Sequence, residues 1–213
     1  MLHVWDLSTR LYHWLHAFLF FALLATAYFG LGANNAEQIH TWLGTVLFTL
    51  LIWRMGWGIF GSETSRFIQF LPTPKTLWRY LRGRHSVQAG HNPVGALMVI
   101  ILIVLLGLQG SLGMLISGWV DGKELFGRSG IRTLKQIHES NALLPIILIS
   151  MHIMAAIITS IKGQGLTRAM ISGKINLPAH IQPPKLASNL KALCWLMCSV
   201  LTVVALIVFK PFF

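Results

Sequence analysis

The stretch HESNALLPIILISMH, residues 138–152, decides how this chain is read, because it opens and closes on histidine and is oily from Asn141 onward. On one straight helix, fourteen residues turn to within about 40° of four full turns and rise about 21 Å, so both imidazoles share a face at two depths. An ionisable side chain in such an apolar helix is a functional candidate by default. Pro145 stands seven residues from each histidine, where it removes one backbone hydrogen bond and can bend the helix.

Working outward, the rest of the chain has the same oily character. Its 213 residues are 54% hydrophobic, and the mean hydropathy is +0.65. Runs long enough to cross a bilayer extend from about Leu11 to Gly30, Ala36 to Phe60, Asn92 to Ser117, His138 to Ile161 and Leu190 to Phe209. The expected fold is an all-α membrane protein. Ser8 or Thr9 is expected to cap the first helix, and Asn92 with Pro93 to start the third. A short surface helix is expected around Thr76–Arg82 and an amphipathic turn at Thr167–Lys174. The polar segment Gly118–Ile137 reads as a loop and a candidate outer docking surface; its alternative role is an ordinary solvated connection.

The net charge of +11 does not call for nucleic acid, because the basic residues lie in the connections, where membrane topology and anionic lipid explain them. Cys194 and Cys198 lie four apart inside an apolar run and have no reason to be bridged or to ligate metal. No small-residue cleavage site follows the first run, so it reads as a span rather than a signal peptide. With a cytoplasmic amino terminus, twelve of the 17 lysines and arginines face the cytoplasm. That asymmetry favours this orientation and a periplasmic carboxyl end. Trp14, Trp53 and Trp57 then lie toward the inner interface, Trp42 and Trp119 toward the outer one.

Topology alone now compares the depths. His13 begins an outward-running helix and lies near the inner side; His40 begins an inward-running helix and lies near the outer side. The third span has no histidine inside the membrane and returns the chain, so His138 is level with His40 and His152 with His13. Two pairs at two depths suit two stacked bis-histidine cofactors. Zinc is a poor fit, since two histidines leave its four-coordinate shell incomplete. Haem brings four equatorial nitrogens and asks for two axial ligands, which leaves no open position on the iron and makes electron transfer the natural role. Without a Cys-x-x-Cys-His motif the haem is of the non-covalent b type.

The segments VWDLSTRLYHW (residues 4–14), QIHTWLG with His40 and Gly44, GHNPVGALM (residues 90–98) and the pair His138 and His152 resemble the bacterial cytochrome b561 family. Relatives of that family include the b-type cytochrome subunits of nickel-iron hydrogenases. The resemblance covers the first four spans, residues 1–175, which read as a dihaem four-helix domain. Residues 176–213 form a connection and a fifth span outside that pattern. It implies a four-helix transmembrane bundle binding two stacked haems, with His13 opposite His152 and His40 opposite His138.

Each further residue carries two readings. His16 competes with His13, being one turn away and about 60° round the helix. A single membrane histidine is commonly explained by a hydrogen bond to a neighbouring helix, whereas four at matched depths point to haem. Gly44, one turn after His40, leaves room for a porphyrin or for a packed helix. Gly107, Gly110 and Gly113 admit the outer porphyrin or make a small-residue helix contact. Arg54 stands fourteen residues after His40 and either pairs with a haem propionate or snorkels to lipid phosphate. His85 and His91 belong to the inner surface, where His91 handles protons near a quinone, contacts a propionate, or simply solvates a helix start.

Together these readings describe a dihaem b-type cytochrome moving electrons across the bacterial inner membrane. The resemblance implies exchange with quinone or quinol and a periplasmic partner such as a c-type cytochrome. No residue is expected to be catalytic in its own right. Two rival classes remain: a haem-bearing anchor subunit of a hydrogenase-like oxidoreductase, and a haem-free transporter using its histidines for protons or metal. No internal repeat of the transporter kind is visible.

Overall fold

The computed structural model describes residues 1–30, 32–84, 89–163, 165–179 and 181–209; His85 and Lys210 lie outside them. Among the described residues five helices are long and apolar enough to cross a membrane, and the protein is an all-α membrane protein whose described residues include one two-residue strand pair. In chain order the elements are β1 (Leu2–His3), α1 (Leu7–Tyr28), α2 (Ala36–Phe60), α3 (Phe67–Phe70), α4 (Pro74–Leu81), α5 (Pro93–Ile116), α6 (Gly122–Asn141), α7 (Leu143–Ile161), α8 (Leu166–Ser172), β2 (Lys174–Ile175) and α9 (Asn189–Val208). Short 3-10 turns at Ala33–Asn35 and Glu63–Ser65 join two of the connections.

One expectation about the fourth span is corrected. Residues 122–137 are not a loop but most of α6, which Asp121 caps by accepting from the Glu124 amide at 3.2 Å. Gly127, at φ 64° and ψ 179°, breaks the helical path inside it. His138 and His152 stand on α6 and α7, which make one continuous span: Ala142 between them keeps helical dihedrals and its amide bonds the His138 carbonyl. Pro145 lacks the amide hydrogen that would bond the Asn141 carbonyl, which is where the helical ladder is interrupted.

The chain forms two compact units. The first comprises Met1–His13, Arg54–Leu102 and Ile147–Trp195. Here β1 pairs antiparallel with β2, Leu2 opposite Ile175. Val4, Trp5 and Ala169 form a small core packed by Leu2, Ala89, Met170, Ile175 and Leu177. Gly173 closes this cap at φ 77°; a Cβ there would lie 2.8 Å from the Trp5 carbonyl oxygen, so only glycine fits both the backbone and the space.

The cap of α1 is Asp6 rather than Ser8 or Thr9. Its Oδ1 accepts from the Thr9 amide at 2.7 Å and its Oδ2 from the Thr9 hydroxyl at 2.8 Å. The helix starts a turn earlier than the apolar run, and aspartate at that point satisfies its free amides. Ser65 joins the network through Thr9 Oγ1 at 2.8 Å, and Trp57 Nε1 donates to the same hydroxyl at 3.1 Å. Trp53 and Trp57 are therefore buried packing residues, not lipid-facing anchors. Farther along, Glu63 Oε2 accepts from the Lys185 amide at 2.8 Å and Ser62 Oγ from the Ala187 amide at 2.9 Å. This ties down the lead into α9, whose Trp195 ring fills the space a side chain at Gly56 would need.

The second unit comprises Trp14–Trp53, Ile103–Ile146 and Leu196–Phe213. Its polar core is a relay between α5 and the end of α6. Asn141 Nδ2 donates to Gln109 Oε1 at 2.8 Å and to the Leu105 carbonyl at 3.2 Å, and Gln109 Nε2 donates to the His138 carbonyl at 3.0 Å. An apolar cavity of about 260 Å³ lies between Trp42, Thr45 and Thr49 of α2, Trp119, and the valine-rich face of α9.

Replacing Asp6 by alanine removes a helix cap and strands the Thr9 amide, at a cost of roughly 1–3 kcal/mol. Thermal unfolding in detergent should show Asp6→Ala clearly destabilised and Asp6→Asn much less so; equal melting of Asp6→Ala and the parent would show that the cap contributes nothing.

Candidate functional site: two facing pairs of imidazoles

In the first unit His13 of α1 faces His152 of α7, with ring centroids 6.3 Å apart and planes inclined by 59°. In the second unit His40 of α2 faces His138 of α6, with centroids 6.4 Å apart and planes inclined by 79°. Edge-to-face rings in contact have centroids about 4.5–7 Å apart, and the two pairs also match a second geometry. A metal–imidazole bond of about 2 Å with a ring radius of about 1.2 Å, taken on both sides of one ion, gives roughly 6.4 Å. The spacing of both pairs is compatible with one metal ion between the rings.

The ion would have only two protein ligands. Among the described residues no group of three or more histidine, cysteine, aspartate or glutamate side chains converges on a common point. A metal held by two imidazoles must bring its other ligands with it, which is the donor set haem requires.

The surroundings fit a flat cofactor. A Cβ added at Gly44 would meet only Leu23, at 3.9 Å, and one at Gly107 would meet nothing within 4 Å. At Gly113 it would lie 3.6 Å from His138 Cε1. Gly110 is different: an added Cβ would overlap the Phe48 ring, so its place is a tight contact between α5 and α2.

His40 has a fixed tautomer. Thr26 Oγ1 lies 2.9 Å from the Leu23 carbonyl, to which it donates, and 2.8 Å from His40 Nδ1. A hydroxyl has one hydrogen, so Thr26 accepts from Nδ1–H and Nε2 keeps its lone pair for a metal. His138 Nδ1 is buried with no hydrogen-bond partner among the described residues. His16 is half-buried on α1; the ring that faces His152 is that of His13.

Two other expected residues meet in the first unit. Arg54 is 4% exposed, which rules out snorkelling to lipid phosphate. Its guanidinium stands 4.8 Å above the Phe67 ring and 6.0 Å from that of Phe70. Phe67 reaches this position because Gly58, one turn beyond Arg54, has no side chain where the ring lies. His91 packs 4.5 Å from Phe70 and 4.8 Å from Trp5, with a buried Nδ1 that has no partner. It does not solvate the helix start; Asn92 does that work, accepting from the Gly95 amide at 2.8 Å. Burial, aided by the charges of Arg54, His13 and His152, pushes the His91 imidazole down to about 3.

Sequence reasoning missed Thr26, Gln109 and the role of Asn141. The available signal was a polar side chain inside an apolar run, which in a membrane must find a partner.

These features define a multi-pass membrane protein with two built imidazole pairs, in contact with lipid along its apolar helices. The chain belongs to the prokaryotic cytochrome b561 family, whose profile matches residues 4–173. It is accordingly a b-type haem membrane protein of electron transport. No curated protein and no solved structure matches it.

Because the unfolded chain takes up the His91 proton first, stability drawn from the neutral ring is complete above about pH 6.5 and is lost as pH falls toward 3. Between about pH 7 and pH 5, His91→Phe should therefore lose less thermal stability than the parent protein; parallel declines would remove His91 as a cause of acid lability.

Proposed function

We propose that the protein carries electrons across the bacterial inner membrane through two haems b, one between His13 and His152 and one between His40 and His138. The observation that carries this reading is the near-equal ring separation of 6.3 and 6.4 Å in the two pairs. The first four spans, α1, α2, α5 and α6–α7, form the dihaem bundle, and α9 is an added fifth span. The amino terminus is cytoplasmic, as the lysine and arginine distribution favours, which puts the His13–His152 site near the cytoplasm.

His13 with His152, and His40 with His138, would each hold a haem, which would supply an iron able to take up and release one electron. The chain's residues do the rest. Thr26 holds the His40 ring in the ligating tautomer, and Gln109 and Asn141 fix the end of α6 that carries His138. Gly44 and Gly113 keep the flanks of that pair open, while Gly110 sets the approach of α5 to α2. His16 shares α1 with His13, one turn along the helix, and is a neighbour of the site. Electrons are exchanged with the quinone pool on one side and a periplasmic redox protein, such as a c-type cytochrome, on the other. The haem-bearing surface on that outer side is α6, whose Arg128, Arg132 and Lys135 are exposed just before His138.

Pyridine haemochrome analysis of the purified chain should give two haems b per polypeptide, and His152→Ala should lose one while keeping the other. A protein with no haem, or a variant that keeps both, would overturn the proposal. Thr26→Val should weaken haem retention at the His40–His138 site by about tenfold to a hundredfold, read by haem loss on dilution into apomyoglobin; an unchanged rate would deny Thr26 its role.

A further inference from the structure

Arg54 poses the sharpest unsolved problem in the molecule. It is a cation buried to 4% exposure whose Nη1 has no hydrogen-bond partner among the described residues. A charge removed from water is costly unless paired and hydrogen-bonded. The aromatic floor made by Phe67 and Phe70 offsets part of that cost, but it accepts no N–H bond in the guanidinium plane. Tyr12 and then Asp6 act electrostatically on Arg54, but Tyr12 is a neutral phenol and the Asp6 carboxylate is shared with the Thr9 amide, the Thr9 hydroxyl and Ser65, so neither fully matches a buried guanidinium.

A second unmet polar atom lies in the same neighbourhood. His91 Nδ1 is buried without a partner, and the ring shares the Phe70 wall with Arg54, at 4.5 Å. Arg54, His91, His13 and His152 all belong to the first compact unit, and the charges of Arg54, His13 and His152 act on the His91 ring. What is missing is an anionic acceptor with two oxygens, small enough to need no large cavity and delivered to that neighbourhood. Lipid phosphate does not meet this description, because Arg54 is closed off from the surface.

We infer that Arg54 and His91 form a carboxylate pocket that takes a propionate of the haem held by His13 and His152. The inference rests on the haem assignment to that pair. A guanidinium and an imidazole N–H are both donors, and a carboxylate accepts from both. The paired arrangement also bears on redox behaviour: a fixed positive charge beside the iron favours its less positive, ferrous state.

The test is a redox titration of the purified holoprotein, with the haem of the His13–His152 site identified as the one lost in His152→Ala. In Arg54→Leu the ratio of reduced to oxidised haem at that site should fall at least about tenfold at fixed potential, a shift of about 59 mV for one electron. The other haem should not move, and Arg54→Lys should retain most of the parent value. A second measurement compares apoprotein reconstituted with haem b and with its dimethyl ester, which has no carboxylate. The parent should hold the acid at least tenfold more tightly at that site, and Arg54→Leu should lose the preference. An unshifted potential in Arg54→Leu, or equal affinity of the parent for acid and ester, would overturn the inference. Should Arg54→Leu fail to accumulate, the comparison of acid and ester in the parent decides alone. Retention of both haems in His152→Ala would instead defeat the haem assignment, a separate failure.

Discussion

The separation of about one metal's coordination diameter between facing imidazoles is the constraint that the rest of the chain serves. Two rings can be held apart at such a distance only if the helices that carry them are fixed by other contacts. In the first unit that fixing comes from Asp6, whose carboxylate caps the start of α1 seven residues before His13, and from the strand pair that ties the start of the chain to the segment after α7. In the second it comes from Thr26 on the His40 ring and from the Asn141–Gln109 relay. None of these contacts touches the space between the rings.

Apolar surroundings give such contacts their weight. Without water, a buried hydroxyl or amide must find its partner within the protein. Transmembrane hydrogen bonds contribute only about 0.6 kcal/mol on average, up to roughly 2. Their larger effect is on geometry: Thr26 selects one tautomer of His40, and Gln109 binds the backbone carbonyl of His138 itself, so the ligand's helix cannot rotate without losing a bond. Arg54 Nη1 and His91 Nδ1 are buried without a hydrogen-bond partner among the described residues, and both lie in the first unit.

Much of this was legible in the sequence. Apolar length located five spans, since a bilayer imposes a length that composition shows directly, and alternating direction placed His13 level with His152 and His40 with His138. Other features depend on partners far away in the chain. Residues 122–137 read as a loop because their charges and glycines mask the helix that Asp121 caps. Pro145 interrupts the hydrogen-bond ladder where α6 meets α7, while Ala142 keeps the backbone helical between them. The cap at Asp6 was missed because the apolar run begins at Leu11, a turn after the helix does. No local signal links Gly58 to Phe67, or Gly56 to Trp195; a glycine in a helix shows that something approaches without saying what.

The spans also differ in how they are held. Of the most apolar window of α2, 44% is buried, whereas the figure is 6% for the span formed by α6 and α7. The difference has a residue-level cause: α2 receives Phe67 on Gly58, Trp195 on Gly56 and, through its own Phe48, the glycine face of α5. Over most of its length α7 makes no comparable contact, and Leu143, Leu144, Ile147, Met151 and Met154 are exposed. A helix with so little buried surface gains little from packing, so its position rests on its ends and on whatever His138 and His152 hold. By mass action, a ligand bound only by the folded chain stabilises it. A histidine-bearing span with so little buried surface would draw more of its order from a bound ligand than α2 does.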